Sequence, residues 1–149
     1  MVEWEEAFDL PIRLNFEKIS GHTSTNQLFT LAGSNSIMEY RMQEEQFKPI
    51  VNEFESTCFG CSSKNNHGLK MEFKAGFDSV ISELVVPDHL CGWSQLVHGG
   101  VLTTILDEVM SWTAMHFLKQ LVMTKSMQLT FLKPVYVNKP ILAQGKIIE

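Results

Sequence analysis

The sequence predicts an α+β fold, an antiparallel sheet packed against one long helix. Residues 99–119 carry apolar side chains at helical spacing around most of their circumference. β-Prone stretches separated by turn residues lie on both sides of that segment. With 149 residues and 44% hydrophobic content, the chain is long enough for one domain with a substantial core, and no second catalytic domain is expected.

The elements follow in order. Residues 12–19 and 27–31 are β-prone and flank the polar run 20–26, which reads as a hairpin. Residues 36–46 favour a helix that Pro49 interrupts or restarts, with Phe47, Ile50, Val51 and Phe54 giving a short apolar face. Segments 69–75 and 79–86 form a second hairpin around Gly76, Phe77 and Asp78. Here Val80, Ser82, Leu84 and Val86 alternate against Ile81, Glu83 and Val85, and Pro87 ends the strand. The loop 88–97 brings His89, Cys91, Trp93 and Gln95 to the start of the long helix, where it is placed to gate or line a pocket. Beyond the helix, 123–132 and 140–148 read as strands joined by a turn near Asn138.

Within the long helix, Val101, Ile105, Val109, Trp112 and His116 form one stripe, and Leu102, Leu106, Met110, Thr113 and Phe117 fill its neighbour. Such a helix should be buried. Its polar exceptions are Thr103, Asp107 and Ser111 at successive four-residue steps, with Thr104 and Glu108 beside them. Ser111 is therefore a candidate substrate contact. At the helix start, Gly99 and Gly100 leave the N–H groups of the first turn unshielded at the positive end of the dipole, a setting for a carbonyl oxygen gaining negative charge. Asp107 is costly in an apolar helix unless paired, hydrated or functional, and would supply a base or nucleophile. Gly99 and Asp107 are eight residues apart, roughly 12 Å along the axis at ~1.5 Å per residue. A reacting carbonyl carbon lies about 3 Å from its nucleophile while its oxygen meets the N–H donor. A site using both groups would thus draw them from two antiparallel copies of the helix.

Three motifs stand in sequence order. Cys58-Phe59-Gly60-Cys61 is followed by Asn66-His67-Gly68-Leu69-Lys70-Met71-Glu72-Phe73; His98-Gly99-Gly100 is followed nine positions after the histidine by Asp107; and 124–134 ends Phe131-Leu132-Lys133-Pro134. In these residues the chain resembles the hotdog-fold acyl-CoA thioesterases of the phenylacetate-pathway and thioesterase-superfamily-member type, over roughly residues 58–149. The resemblance implies a hotdog fold, with an antiparallel sheet wrapped around a long central helix, and a 58–149 thioesterase domain preceded by a 1–57 extension. It also implies a homodimer or dimer of dimers in which glycine and acid come from opposite subunits. The activity implied is hydrolysis of an acyl-CoA to a carboxylic acid and free coenzyme A, with no cofactor. Gly99 would polarise the carbonyl while Asp107 attacks the thioester or activates water.

The chain departs from the family in two places. Gly92 stands where some relatives carry an asparagine or glutamine six residues before the histidine; Gln95 is nearby but out of register, a substitute contact for substrate or water. Relatives also continue through one or two further strands past the position of Glu149, and the stretches 12–19 and 27–31 are expected to pair with or cover that edge.

Other residues have competing readings. His98 is either a general base or a loop-orienting hydrogen-bonding residue, and its position before Gly99 and Gly100 favours the supporting role. Thr124 and Ser126 either hold Asp107 or the lytic water, or are exposed strand hydroxyls, while Glu108 reads as structural or as a pocket neighbour. The apolar residues of the helix and Trp93 suit an aromatic or medium-length aliphatic acyl group. A noncatalytic acyl-CoA-binding hotdog protein is the main alternative function. An enoyl-CoA hydratase or dehydratase fits the placement of the glycines less well.

Net charge is −5, with −6 in residues 1–56 and +1 in 57–149. Lys119, Lys125, Lys133, Lys139 and Lys146 could favour the phosphates of coenzyme A, or be solvated strand and turn lysines. An acidic chain without a basic aromatic patch gives nucleic-acid binding no support. No apolar run approaches the ~20 residues needed to span a bilayer, and the acidic N-terminus lacks targeting character, so no membrane insertion and a cytoplasmic location are expected. Cys58, Cys61 and Cys91 form no even disulfide framework. With His67 they assemble on paper into a zinc set, but a second ligand pair is missing, and a turn holding ordinary buried thiols is the stronger reading; no metal is expected.

Overall fold

The first two strands form a hairpin tighter than the polarity pattern suggests. β1 (Ile12–Lys18) and β2 (Gly21–Ala32) pair antiparallel from Ile12↔Phe29 to Lys18↔Gly21, so most of the polar run 20–26 is strand rather than connection. Polar residues are tolerated there because the segment pairs with β1, at Gly21, Thr25 and Asn26, while Gln27–Ala32 of β2 pair with β9 (Pro140–Ile147). The structure, a computed structural model, describes residues 12–18, 21–32, 46–54 and 56–147. The helix expected over 36–46 falls outside these residues apart from Gln46.

β3 (Lys48–Pro49) lies at the end of the sheet, an edge position where the missing N–H of Pro49 is tolerated. It pairs with β4 (Lys74–Ala75), and β4 turns into β5 (Ser79–Val85) through a Gly76 N–H to Ser79 carbonyl bond of 2.8 Å. The expected hairpin is present but short. Residues 69–73 leave it to bond elsewhere: the Leu69 and Met71 amides donate to the Phe59 and Gly60 carbonyls at 2.8 and 3.0 Å, and Ile50 N–H donates to the Phe73 carbonyl at 2.8 Å. On β5, Val80 joins the main core, whereas Ile81 packs on the other face with Leu142 and Phe47.

A 3₁₀ turn (Asp88–Leu90) leads to a separate two-stranded ribbon, β6 (Cys91–Trp93) and β7 (Leu96–Val97). This ribbon is pinned to 135–137: Val97 N–H donates to the Val135 carbonyl and Val137 N–H to the Gln95 carbonyl, at 2.8 and 2.9 Å, while Asn138 N–H reaches the Val86 carbonyl just past the end of β5 at 2.8 Å. Asn138 makes its turn in the left-handed region, at φ 59°.

α1 (Gly99–Leu118) ends where Lys119 enters the left-handed conformation and donates its N–H to the Met115 carbonyl. Both expected apolar stripes are buried except at their C-terminal members, His116 and Phe117, which are half-buried. Ile105, Leu106, Val109 and Met110 are wholly enclosed against the sheet, and truncating one of the larger ones to alanine would cost ~2–5 kcal/mol. Trp112 stacks on Phe73 at 4.9 Å between ring centroids, fastening the helix to the segment before β4.

β8 (Val122–Gln128) follows the helix. The strand expected over 123–132 ends at Gln128, and the seven-stranded antiparallel sheet has the order β3-β4-β5-β9-β2-β1-β8, which places the N-terminal hairpin between β8 and β9. The hairpin thus pairs along β9, as expected, and also bridges to β8.

Candidate functional site

The helix start is built around His98. As N-cap it accepts the Gly100 N–H on Nδ1 at 2.9 Å, and its carbonyl takes the Val101 and Leu102 amides at 2.9 and 3.1 Å. The Gly99 amide has no acceptor among the described residues. Of the two glycines, Gly99 is therefore the one that offers an N–H outward, while the Gly100 donor is committed to the cap. A Cβ on Gly99 would rest 3.6 Å from Cε2 of Phe131, so this half-exposed ring walls one side of the glycine. The sequence reading did not single out Phe131 as a neighbour of Gly99, because the contact depends on how 129–134 returns past the helix start.

Asp107 lies two turns further on and is half-buried. Thr124 Oγ1 donates to its Oδ1 at 2.5 Å. Of Thr124 and Ser126, Thr124 is the one whose hydroxyl meets Asp107. The β1–β8 register slips between Asn15↔Ser126 and Phe16↔Thr124, leaving Lys125 as an extra residue on β8. Such a bulge rotates the strand locally, and Thr124 and Met127 are half-buried while Lys125 and Ser126 are exposed. Ser126 therefore does not share the position of Thr124.

Other expected residues are distributed as follows. Ser111 is half-buried one turn beyond Asp107, with no side-chain hydrogen bond among the described residues. Thr103 and Thr104 turn their hydroxyls back onto the Gly99 and Gly100 carbonyls at 2.9 and 3.0 Å, so these groups are spent on the helix itself. Gln95 sits exposed in the β6–β7 connection and is engaged through its carbonyl. Trp93 is 83% exposed at the ribbon. Lys146 forms an ion pair with Asp78, which removes it from the lysines available to a phosphate.

Glu108 faces a different neighbour. Cys58 donates its thiol to Glu108 Oε1 at 3.1 Å, and the Gly60 and Cys61 amides donate to Cys58 Sγ at 3.3 and 3.5 Å. A side chain on Gly60 would collide with Glu108, so glycine is needed for this close approach. Burial first, then hydrogen bonding to Glu108, pushes the Cys61 thiol well above its ordinary range. The paper assembly of Cys58, Cys61, His67 and Cys91 does not form: Cys91 is exposed in β6, His67 is exposed, and Glu108 takes the third place beside the two thiols. Spacing within Cys-x-x-Cys predicts the first pair, but nothing local points to a partner 50 residues away.

A cleft of about 710 Å³ opens between residues 49–56 and 61–74, and Cys61, Phe54 and Ser56 are among its walls. Neither Gly99 nor Asp107 lines it. Gly99 and Asp107 therefore sit apart from this cleft.

Residues 94–149 match the family model of the thioesterase superfamily. The matched stretch contains the helix start, Asp107 and Thr124, and supports a thioesterase-type function on an acyl-thioester substrate at the level of the superfamily. The superfamily's hotdog architecture agrees with one long helix against an antiparallel sheet. No curated protein and no solved structure gives a match. Among the described residues no helix is long and apolar enough to cross a membrane.

Proposed function

We propose that the protein hydrolyses an acyl-CoA thioester to a carboxylic acid and free coenzyme A, at sites shared across a homodimer. The observation that carries this reading is the Thr124–Asp107 hydrogen bond, which fixes one carboxylate oxygen and leaves the other for chemistry. Asp107 Oδ2 either attacks the thioester carbon or takes a proton from an attacking water. The C–S bond then breaks, the thiolate of coenzyme A leaves and is protonated, and the hydroxyl of water ends on the acyl carbon.

The Gly99 amide, unclaimed within the described residues, is suited to the developing oxyanion. It stands eight residues from Asp107 on the same helix, about 12 Å at ~1.5 Å per residue, which is why two copies of the chain are invoked. His98 supports rather than reacts, since its Nδ1 holds the Gly100 amide. Ser111 and Phe131 are the nearest candidates for substrate contacts at the two ends of the site.

Turnover of a panel of acyl-CoAs, read by release of free thiol, tests the proposal. Hydrolysis of aromatic or medium-chain thioesters is expected. Binding without thiol release would instead make the protein an acyl-CoA binder, and reversible hydration of an enoyl-CoA would make it a hydratase.

A further inference from the structure

On the face of α1 turned away from Thr124, three groups with metal-binding chemistry meet. One sulfur each of Cys58 and Cys61 and a carboxylate oxygen of Glu108 all lie within 4.8 Å of one another, and all three residues are half-buried. We propose that this triad binds a zinc ion, with two thiolates and one carboxylate as ligands and a water in the fourth position.

Geometry and donor chemistry both favour it. Tetrahedral zinc with sulfur at ~2.3 Å sets neighbouring ligand atoms about 3.5–3.8 Å apart, a spacing within reach of the observed cluster. The chain is already folded as a binding turn. The Gly60 and Cys61 amides donate to Cys58 Sγ at 3.3 and 3.5 Å, so two N–H groups stand ready to stabilise that sulfur as thiolate. Glu108 projects from the helix toward both sulfurs as the third ligand. The turn itself is strapped by the Leu69 and Met71 amides on the Phe59 and Gly60 carbonyls. Cys61 lines the 710 Å³ cleft, which gives the ion an entry path and the fourth ligand a place to stand.

In the metal-free state the Cys58 thiol proton is shared with Glu108 at 3.1 Å. Binding replaces that bond by a Zn–S and a Zn–O bond, and the two thiol protons leave to solvent. The ion would tie the 58–73 segment to the helix one residue from Asp107, on a face separate from the proposed thioesterase site. The inference does not depend on that activity.

The test uses reduced full-length protein carrying Cys91→Ser, stripped with a chelator and titrated with Co²⁺. One equivalent should produce a sulfur-to-cobalt charge-transfer band and the visible bands of a tetrahedral ion with release of two protons, and Zn²⁺ should then abolish both sets of bands with no further proton release. Cys58→Ser and Cys61→Ser should each abolish the charge-transfer signature or most of its intensity. Glu108→Gln keeps both sulfurs and the fold, and should weaken binding by more than the roughly tenfold that loss of an outer-shell partner costs. A folded, reduced protein that shows no charge-transfer band at one equivalent overturns the proposal, as does an unaltered affinity in Glu108→Gln.

Discussion

Thr124 donates its hydroxyl to Asp107 at 2.5 Å, joining the strand after the helix to the acid in the middle of it. The bond needs the bulge at Lys125, which lets β8 keep its pairing with β1 while Thr124 faces the helix. A hydrogen bond to an ionised group contributes about 1.5–3 kcal/mol. Thr124→Val should therefore lower kcat/KM by roughly 10- to 100-fold, while Thr124→Ser retains most of the rate. A fully active Thr124→Val beside an impaired Thr124→Ser would show that the methyl group, not the hydroxyl, matters.

Asp107→Asn should fold normally and lose most hydrolysis, because an amide is neither a base nor a nucleophile. The shared-site reading goes further. A chain carrying Asp107→Asn mixed with a chain carrying Gly99→Pro, each inactive alone, should recover activity, since half of the sites in a mixed dimer would be intact. Mixed dimers confirmed by mass spectrometry but lacking turnover would place both groups in one subunit's site, or neither in any.

His98 offers a cleaner separation of structure from chemistry. Its Nδ1 caps the helix through Gly100, so His98→Ala should lower stability by about 1 kcal/mol and slow turnover indirectly. His98→Asn, a strong capping residue, should restore the unfolding midpoint and most of the rate. An asparagine variant as stable as the parent but inactive would reassign His98 to the reaction itself.

Much of this was legible in the sequence for physical reasons. The helix from Gly99 was readable because a 3.6-residue period with apolar residues on most sides has one outcome, and its start was readable because two glycines follow a side chain able to cap. Thr124 was readable only as one of two hydroxyls, since the strand period of two is reset by a bulge that no single residue announces. The partnership of Glu108 with Cys58 and Cys61 depends on a 50-residue separation. The β1–β2 connection is shorter than expected because polarity marks a turn only where the backbone is unpaired, and the polar run 20–26 pairs with β1 at Gly21, Thr25 and Asn26.

His116 gives a pH prediction with a definite sign. Burial first, and the nearby Lys119 charge second, hold its imidazole below the ordinary value of 6.5. The fold thus favours the neutral ring, which sits edge-on to Phe117 at 5.0 Å. The unfolded chain binds the proton more readily, so this contribution to stability is complete above pH 6.5 and is lost as pH falls below it. A proton NMR titration should place the His116 midpoint below 6.5. Lys119→Ala should raise the midpoint only in part, since burial remains; a midpoint at or above 6.5 would contradict the assignment.

The N-terminal hairpin should prove integral to the sheet. β2 pairs with β9 over six residue pairs from Gln27↔Ile147 to Ala32↔Leu142, and β1 carries β8 on its far side. Removing the two strands would open an edge on β9 and strip β8, the strand that holds Thr124, of the only partner it has among the described residues. Unpaired edges expose backbone donors and acceptors and invite association between chains. A chain shortened to begin at Ser36 should be insoluble or, if soluble, should lose the Thr124–Asp107 contact and with it most of the turnover. Hydrogen exchange offers a check on the intact protein: the β8 amides that face β1 and the β9 amides that face β2 should both be protected, because each bonds to the hairpin. A shortened chain that stays soluble, folded and as active as the parent would show that β8 reaches Asp107 without this support.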